Sequence, residues 1–165
     1  MKQIIFTFLV MFLTACGYIP SSHMAGKTLG ENVFLQINIS KQDPQNSVYI
    51  SDVLRESMLN KLGRSITSES EADSVIIVTM KDLKFTPMIY DKNGYVINYK
   101  AELYLEFKLR YKDGKEELVN TKGSYYFDIN PNSVISDQAR FEAIKNASRQ
   151  AFDEFVSIVA IRGYR

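Results

Sequence analysis

Residues 91–127 read DKNGYVINYKAELYLEFKLRYKDGKEELVNTKGSYYF, and this stretch decides the fold. Asn93-Gly94 and Asp113-Gly114 are dipeptides typical of two-residue hairpin turns of the primed types. Between them the residues alternate in character. One set is apolar: Tyr99, Ala101, Leu103, Leu105, Phe107, Leu109 and Tyr111. The other set is mostly charged: Lys100, Glu102, Tyr104, Glu106, Lys108 and Arg110. Because strand side chains alternate between faces, the pattern predicts one long strand between two hairpin turns. Its apolar face should be covered, and its charged face should meet water or a polar partner.

The rest of the chain supplies the other elements of one domain. Apolar alternation or short apolar runs predict further strands at 33–40, 74–85 and 116–127. Apolar residues at helical spacing predict helices at 46–62 and 134–161. Pro87 should end regular pairing or mark a sheet edge. The order β-α-β-β-β-α predicts an α+β two-layer sandwich. In it, two helices pack on one face of a four-stranded, mainly antiparallel sheet.

Composition excludes several classes of protein. The formal net charge is +1 and 24% of the residues are charged, which argues against a nucleic-acid-binding protein and against general disorder. The only cysteine is Cys16 and the only histidine is His23, so no Cys/His zinc site and no intramolecular disulfide is expected. We see no phosphate loop, metal motif or cofactor motif and no marked acid–base pair. The sequence therefore predicts a protein that is not an enzyme and needs no cofactor.

The first residues have the form of an export signal. Lys2 is followed by an apolar run that is too short to span a bilayer as a helix. The run ends in Leu13-Thr14-Ala15-Cys16, which resembles the lipobox of bacterial lipoproteins. We therefore expect a signal peptide at 1–15, an acylated (palmitate-bearing) Cys16 with a tether over 16–31, and a single domain at 32–165. Gly17, in place of the aspartate that favours inner-membrane retention in enteric bacteria, indicates the outer membrane.

Several motifs, in order, resemble the lipopolysaccharide-assembly lipoprotein family LptE. They begin with Cys16-Gly17-Tyr18 and continue with the hairpin over residues 91–99. The resemblance is strongest at Tyr126-Phe127-Asp128, Asn130-Pro131 and Asp137. Ile129 stands between Asp128 and Asn130 like a one-residue insertion.

The resemblance implies a role without catalysis. LptE proteins are outer-membrane lipoproteins that plug the lumen of the β-barrel LptD, support its assembly and bind lipopolysaccharide on its way to the outer leaflet. Basic residues near the hairpin tip and near the start of the last helix are associated with that binding. The first position falls on Lys92, and the second falls near Ser136, which is not basic. Lys100, Lys122 and Arg140 are candidates to compensate.

Two other functions stay open at this point. One is an auxiliary lipoprotein subunit of another envelope lipid-trafficking system of the ABC type, which would have inner-membrane partners. The other is a lipid-anchored enzyme that acts on glycan or peptidoglycan, which the missing acid–base pair disfavours.

Overall fold

The computed structural model describes residues 27–38 and 44–162. Its strands are β1 (Asn32–Asn38), β2 (Ser65–Ile66), β3 (Ser74–Tyr90), β4 (Val96–Tyr111) and β5 (Glu116–Asp128). Its long helices are α1 (Pro44–Ser57), continued by a π-helical turn over Met58–Leu62, and α2 (Asp137–Arg162). The predicted signal peptide, Cys16, His23, the first part of the tether and the end of the first predicted strand lie outside the described residues.

The five strands form one mixed sheet in the order β2-β1-β3-β4-β5. β4 pairs antiparallel with β3 and β5, as a hairpin succession requires. β1 pairs parallel with β3, and α1 makes the crossover between them. The two-residue β2 also pairs parallel, with β1. The predicted α+β architecture is confirmed, while the sheet has one more strand than expected and parallel pairing on one side.

Both hairpin loops differ from the expected two-residue turns. Gly94 (φ +84°) and Gly114 (φ +83°) are left-handed, but Asn93 and Asp113 are not among the described residues with positive φ. The N–H of Gly94 bonds to Asp91 O at 3.0 Å, and that of Gly114 bonds to Tyr111 O at 2.9 Å. Each loop therefore has three residues, a type I turn followed by a left-handed glycine. The prediction of primed turns was wrong because only the glycine adopts positive φ.

β3 is longer than predicted and continues through Pro87 to Tyr90. Its register with β4 shifts between Met80 and Asp82, and again near Pro87 and Ile89. Beyond Thr79, where the pairing with β1 ends, β4 is the only neighbour that β3 has among the described residues. A bulge and a proline on an edge strand are common devices against unwanted strand pairing.

The core lies between the sheet and the two helices. The apolar residues of β4 face it, and Leu103, Leu105, Phe107 and Leu109 are at most 1% exposed, as the alternation predicted. The Phe107 ring stacks on Phe155 of α2 with centroids 4.2 Å apart. α2 also lies directly on β5 at Gly123, where a Cβ would come within 1.7 Å of the carbonyl oxygen of Ala147. The opposite side of β3–β5, which we call the outer face, carries the charged set of β4.

Candidate functional site

The outer face brings two of the candidate lysines together. Lys100 and Glu102 are alternate residues of β4, so both project from the same face. Lys122 of β5 lies opposite Tyr104, next to Glu102 on the diagonal. The ammonium of Lys100 is 3.0 Å from Oε1 of Glu102, and that of Lys122 is 2.5 Å from the same oxygen. We call Lys100, Glu102 and Lys122 the outer-face triad.

Two tyrosine rings flank the outer-face triad. The Nζ atom of Lys100 is 5.6 Å from the ring centroid of Tyr126, and that of Lys122 is 5.1 Å from the ring centroid of Tyr104. These distances fall within the range of cation–π attraction. The triad therefore has two fixed cations, one shared carboxylate and an aromatic border.

The shared carboxylate keeps all three groups of the triad charged. Hydrogen bonds from Lys122 and Lys100 hold the pKa of Glu102 below its ordinary value. The bond to Glu102 is also the main cause that raises the pKa of Lys122 and of Lys100. The triad consequently carries a net charge of +1 at neutral pH, and an incoming anion must compete with Glu102 for the two lysines.

The remaining outer face is a network of paired charges. Lys81 pairs with Glu106 at 2.9 Å, Lys84 with Asp82 at 2.6 Å, and Lys108 with Glu116 at 2.9 Å; Arg110 pairs with Glu69. This face is mixed in charge rather than basic. The acidic partners were visible in the sequence, but their pairing depends on the register between strands.

Lys92 lies apart from the triad, in the loop that joins β3 to β4. The carboxylate of Asp91 accepts the N–H groups of Asn93 (2.8 Å) and Tyr95 (2.9 Å), which holds the loop. Lys92 is exposed, and no acidic side chain among the described residues pairs with it. Val96, the first residue of β4 after this loop, precedes Lys100 by four residues. At roughly 3.3 Å per residue, Lys100 therefore lies about 13 Å along the strand from Val96.

Arg140 lies on the helix side of the sheet, opposite to the triad. Its guanidinium carbon is 5.0 Å from the ring centroid of Phe85. Ser136 precedes α2, and its Oγ accepts the N–H of Ala139 at 3.2 Å, as a helix-capping residue does. α2 therefore begins three residues later than predicted. Ser136 caps the helix and supplies no positive charge at this position. The structure unites Lys100 and Lys122 and separates both from Lys92 and Arg140.

A groove of about 840 Å³ at the other end of the sheet was not foreseen from the sequence. Its charged groups largely bind one another. Glu117 pairs with Lys115 at 2.7 Å and with Arg162 at 3.0 Å. The carboxylate of Asp73 accepts the N–H groups of Glu31 and Asn32, and the bond to Asn32 is the largest cause that lowers its pKa.

Two kinds of feature are missing from the described residues. They contain no group of three His, Cys, Asp or Glu side chains placed to hold a metal ion. In the same residues, no helix combines the length and the apolar character that crossing a membrane requires.

Comparison with known proteins gives a family match and a shared fold. The model of the family LptE, described as lipopolysaccharide-assembly, matches residues 34–157, from β1 to near the end of α2. No curated protein is significantly similar to the chain in sequence.

Among solved structures, the chain is similar to an uncharacterised lipoprotein B from Nitrosomonas europaea. The two share 11% identity with a TM-score of 0.54, and the alignment covers 81% of this chain and 84% of that one. A putative lipoprotein from Caulobacter crescentus aligns at 9% identity and a TM-score of 0.53, over 87% of this chain and 95% of that one. The rare lipoprotein B from Shewanella oneidensis aligns at 13% identity and a TM-score of 0.46, over 81% and 90%. At these identities, the first two likenesses establish a common fold.

Proposed function

Because the chain belongs to the lipopolysaccharide-assembly family LptE, we propose that it is a non-catalytic lipoprotein of the outer membrane. In this role it plugs a β-barrel partner of the LptD type, supports the assembly of that barrel and takes part in delivering lipopolysaccharide to the outer leaflet. The observation that carries the proposal is the family match over residues 34–157, which includes the sheet and most of α2.

The position of Lys27 in the structure is consistent with an anchor at Cys16. The described chain starts at Lys27, which lines the groove together with the loop between β4 and β5 and with Arg162 at the end of α2. Lys27 follows Cys16 by eleven residue steps, which span at most about 38 Å when fully extended. An acylated Cys16 would therefore keep this end of the domain, the proximal end, near the membrane surface. The Asp91–Tyr95 loop lies at the opposite, distal end.

The length of the sheet supports a position inside a barrel. β4 has 16 residues, which corresponds to about 53 Å at 3.3 Å per residue. A bilayer is about 40–45 Å thick with its headgroups. A domain standing along the axis of a barrel would thus reach from the periplasmic side to the outer surface.

The four basic candidates differ in their freedom to bind phosphate. Among the described residues, Lys92 and Arg140 have no ion-pair partner, whereas Lys100 and Lys122 share Glu102. Lysine binds phosphate as a point charge, and a free ammonium at an exposed tip is available to do so. Lipopolysaccharide binding should therefore weaken in Lys92→Glu. The control is Lys112→Glu, the corresponding lysine of the proximal hairpin loop, which should bind normally; equal binding by both variants would contradict the role of Lys92.

Co-purification tests the proposal as a whole. The full chain with its lipobox and a C-terminal tag is expressed, membranes are solubilised in mild detergent, and the partners are identified. We expect a stoichiometric outer-membrane barrel. An inner-membrane permease would instead support the ABC-type auxiliary subunit, and a tagged protein that elutes alone would overturn the proposal.

Cysteine labelling tests the orientation in cells. Asn93→Cys and Asp113→Cys place a thiol in two loops of the same geometry at opposite ends of β4. Since Cys16 is the only native cysteine and is acylated in this proposal, a membrane-impermeant maleimide reports the new thiol alone. We expect labelling of the distal cysteine in intact cells and labelling of the proximal one only after the membrane is opened. Equal labelling of both would contradict a domain that stands within the barrel.

A further inference from the structure

The edges of the sheet differ in how they are protected against pairing with a foreign strand. β2, at one edge, has only two residues. The edge of β3 beyond Thr79 carries a bulge and Pro87. β5, at the opposite edge, has 13 residues and no proline, and it pairs with β4 without a register shift. β5 therefore lacks the short length, bulge and proline that protect the other two edges.

The distal half of β5 has a composition that favours pairing with itself. Residues 121–127 read Thr-Lys-Gly-Ser-Tyr-Tyr-Phe, with a net charge of +1 and no proline. Four of these seven residues, one threonine and three aromatic residues, favour strands. Segments of this kind pair readily with identical segments of other chains. The partner that fits this edge is consequently the same segment in a second copy of the chain.

Two side chains of α2 occupy the edge of β5 in this segment. The side-chain oxygen of Gln150 accepts the N–H of Ser124 at 2.6 Å. The carboxylate of Glu154 accepts the N–H of Lys122 at 2.8 Å. Only alternate residues of a terminal strand bond to the neighbouring strand, and these two N–H groups point the other way. They are the donors that an added strand would use.

The helix and the strand match in spacing at this place. Gln150 and Glu154 are four residues apart in α2, a rise of about 6 Å along the helix axis. Lys122 and Ser124 are two residues apart in β5, about 6.6 Å along the strand. Gly123 lies between them and has no Cβ, so the backbone of α2 packs directly on β5. The two acceptors are thus held in place by the packing of the helix.

We propose that Gln150 and Glu154 close the β5 edge against pairing with a second copy of this chain. A second copy can add its strand at residues 121–127 only by displacing both acceptors from the N–H groups of Lys122 and Ser124. The closed edge keeps the chain a monomer. This inference goes beyond the function proposed above, because it concerns the chain by itself and needs no barrel partner.

Removing both acceptors tests whether they hold the edge. The uncapped variant combines Gln150→Ala with Glu154→Ala. The matched control combines Gln138→Ala with Glu142→Ala, which removes the same two residue types at the same spacing from the same helix, where their side chains bond to each other at 3.4 Å. All proteins are full chains in mild detergent.

Amide hydrogen exchange at low protein concentration gives the first measurement. The amides of Lys122 and Ser124 should exchange about fivefold faster in the uncapped variant, because each loses one hydrogen bond. In the matched control both amides should exchange as in the parent. Unchanged exchange in the uncapped variant would overturn the proposal, because the two side chains would then not hold the edge.

Light scattering over a range of protein concentrations gives the second measurement. A partner strand no longer has to break two hydrogen bonds, so the association constant of the uncapped variant should rise about 25-fold, a factor of about five for each bond. The parent and the matched control should remain monomers. The proposal is wrong if the uncapped variant also stays a monomer while its two amides exchange faster, or if both double variants associate equally.

A charge in the pairing segment shows where the two copies meet. Tyr126 is 54% exposed, and the Nζ atom of Lys100 is 5.6 Å from its ring centroid, so a carboxylate is tolerated there. Adding Tyr126→Glu to the uncapped variant brings like charges together in any pair of these segments and should restore the monomer. Association that persists with Tyr126→Glu, while thermal melts show that all variants are folded, would contradict pairing at this edge.

Discussion

Adding one methyl group at Gly123 tests how closely α2 is held on the sheet. A Cβ at this position would lie 1.7 Å from the carbonyl oxygen of Ala147, 2.7 Å from its carbonyl carbon and 2.9 Å from the nitrogen of Ala151. All three are backbone atoms of a helix, so no side chain can rotate away. Even a tight contact of 3.0 Å requires α2 to move by about 1.3 Å, the difference from 1.7 Å.

The cost of that movement follows from what α2 contacts. Phe152 and Phe155 are fully buried against the sheet. The side chains of Glu154 and Gln150 accept the edge N–H groups of Lys122 (2.8 Å) and Ser124 (2.6 Å). Overpacking a core costs about 1–3 kcal/mol, and this clash lies in backbone that cannot relax locally. We therefore expect Gly123→Ala to lower the free energy of unfolding by about 3 kcal/mol.

Urea unfolding measures this loss in a Cys16→Ser background, which keeps the chain free of acyl groups. Asn120→Ala is the matched control, because it changes an exposed residue of the same strand and should stay within about 0.5 kcal/mol of the parent. If Gly123→Ala also stays within about 1 kcal/mol of the parent, with an unchanged m-value, the close approach of α2 is not as described.

Three further substitutions probe the core, the outer face and the distal loop. Phe107→Ala should cost about 3–5 kcal/mol in urea unfolding, because it removes a fully buried ring stacked on Phe155; a loss below about 1 kcal/mol would contradict that packing. Glu102 has a lowered pKa in the folded chain, so its contribution is present above the unfolded value near 4.5 and is lost as the pH falls through the lower folded value. In Glu102→Gln, the free energy of unfolding should therefore fall less between about pH 5 and pH 3 than it does in the parent. An equal fall in both proteins would count against the triad. Asp91→Ala should speed amide hydrogen exchange at Tyr95 roughly tenfold by removing the acceptor of its N–H, and unaltered exchange would show that the loop does not depend on this carboxylate.

The family and much of the architecture could be predicted from the sequence. The alternation of β4 identified a strand with one covered face, since period-two patterning records which side chains are buried. The helical stripes and the hairpin glycines located the remaining long elements to within a few residues. The ordered motifs from residue 91 to residue 137 indicated the LptE family, which the match over residues 34–157 confirms.

The tertiary structure decided which residues meet. Local patterning carries no information on register, so the sharing of Glu102 by Lys100 and Lys122 emerges only when β5 is aligned with β4. Local patterning also does not determine which layer a helical residue faces. In the structure, Arg140 lies on the side of the sheet opposite to the triad.

The same limit explains the remaining differences. A parallel β1–β3 pair and the short β2 depend on contacts between residues far apart in the chain, and the choice of a three-residue loop depends on how the two strands twist. The sequence by itself thus determined which segments are buried and on which side of each strand. Only the folded chain determined their neighbours, because pairing is fixed by the packing of all layers at once.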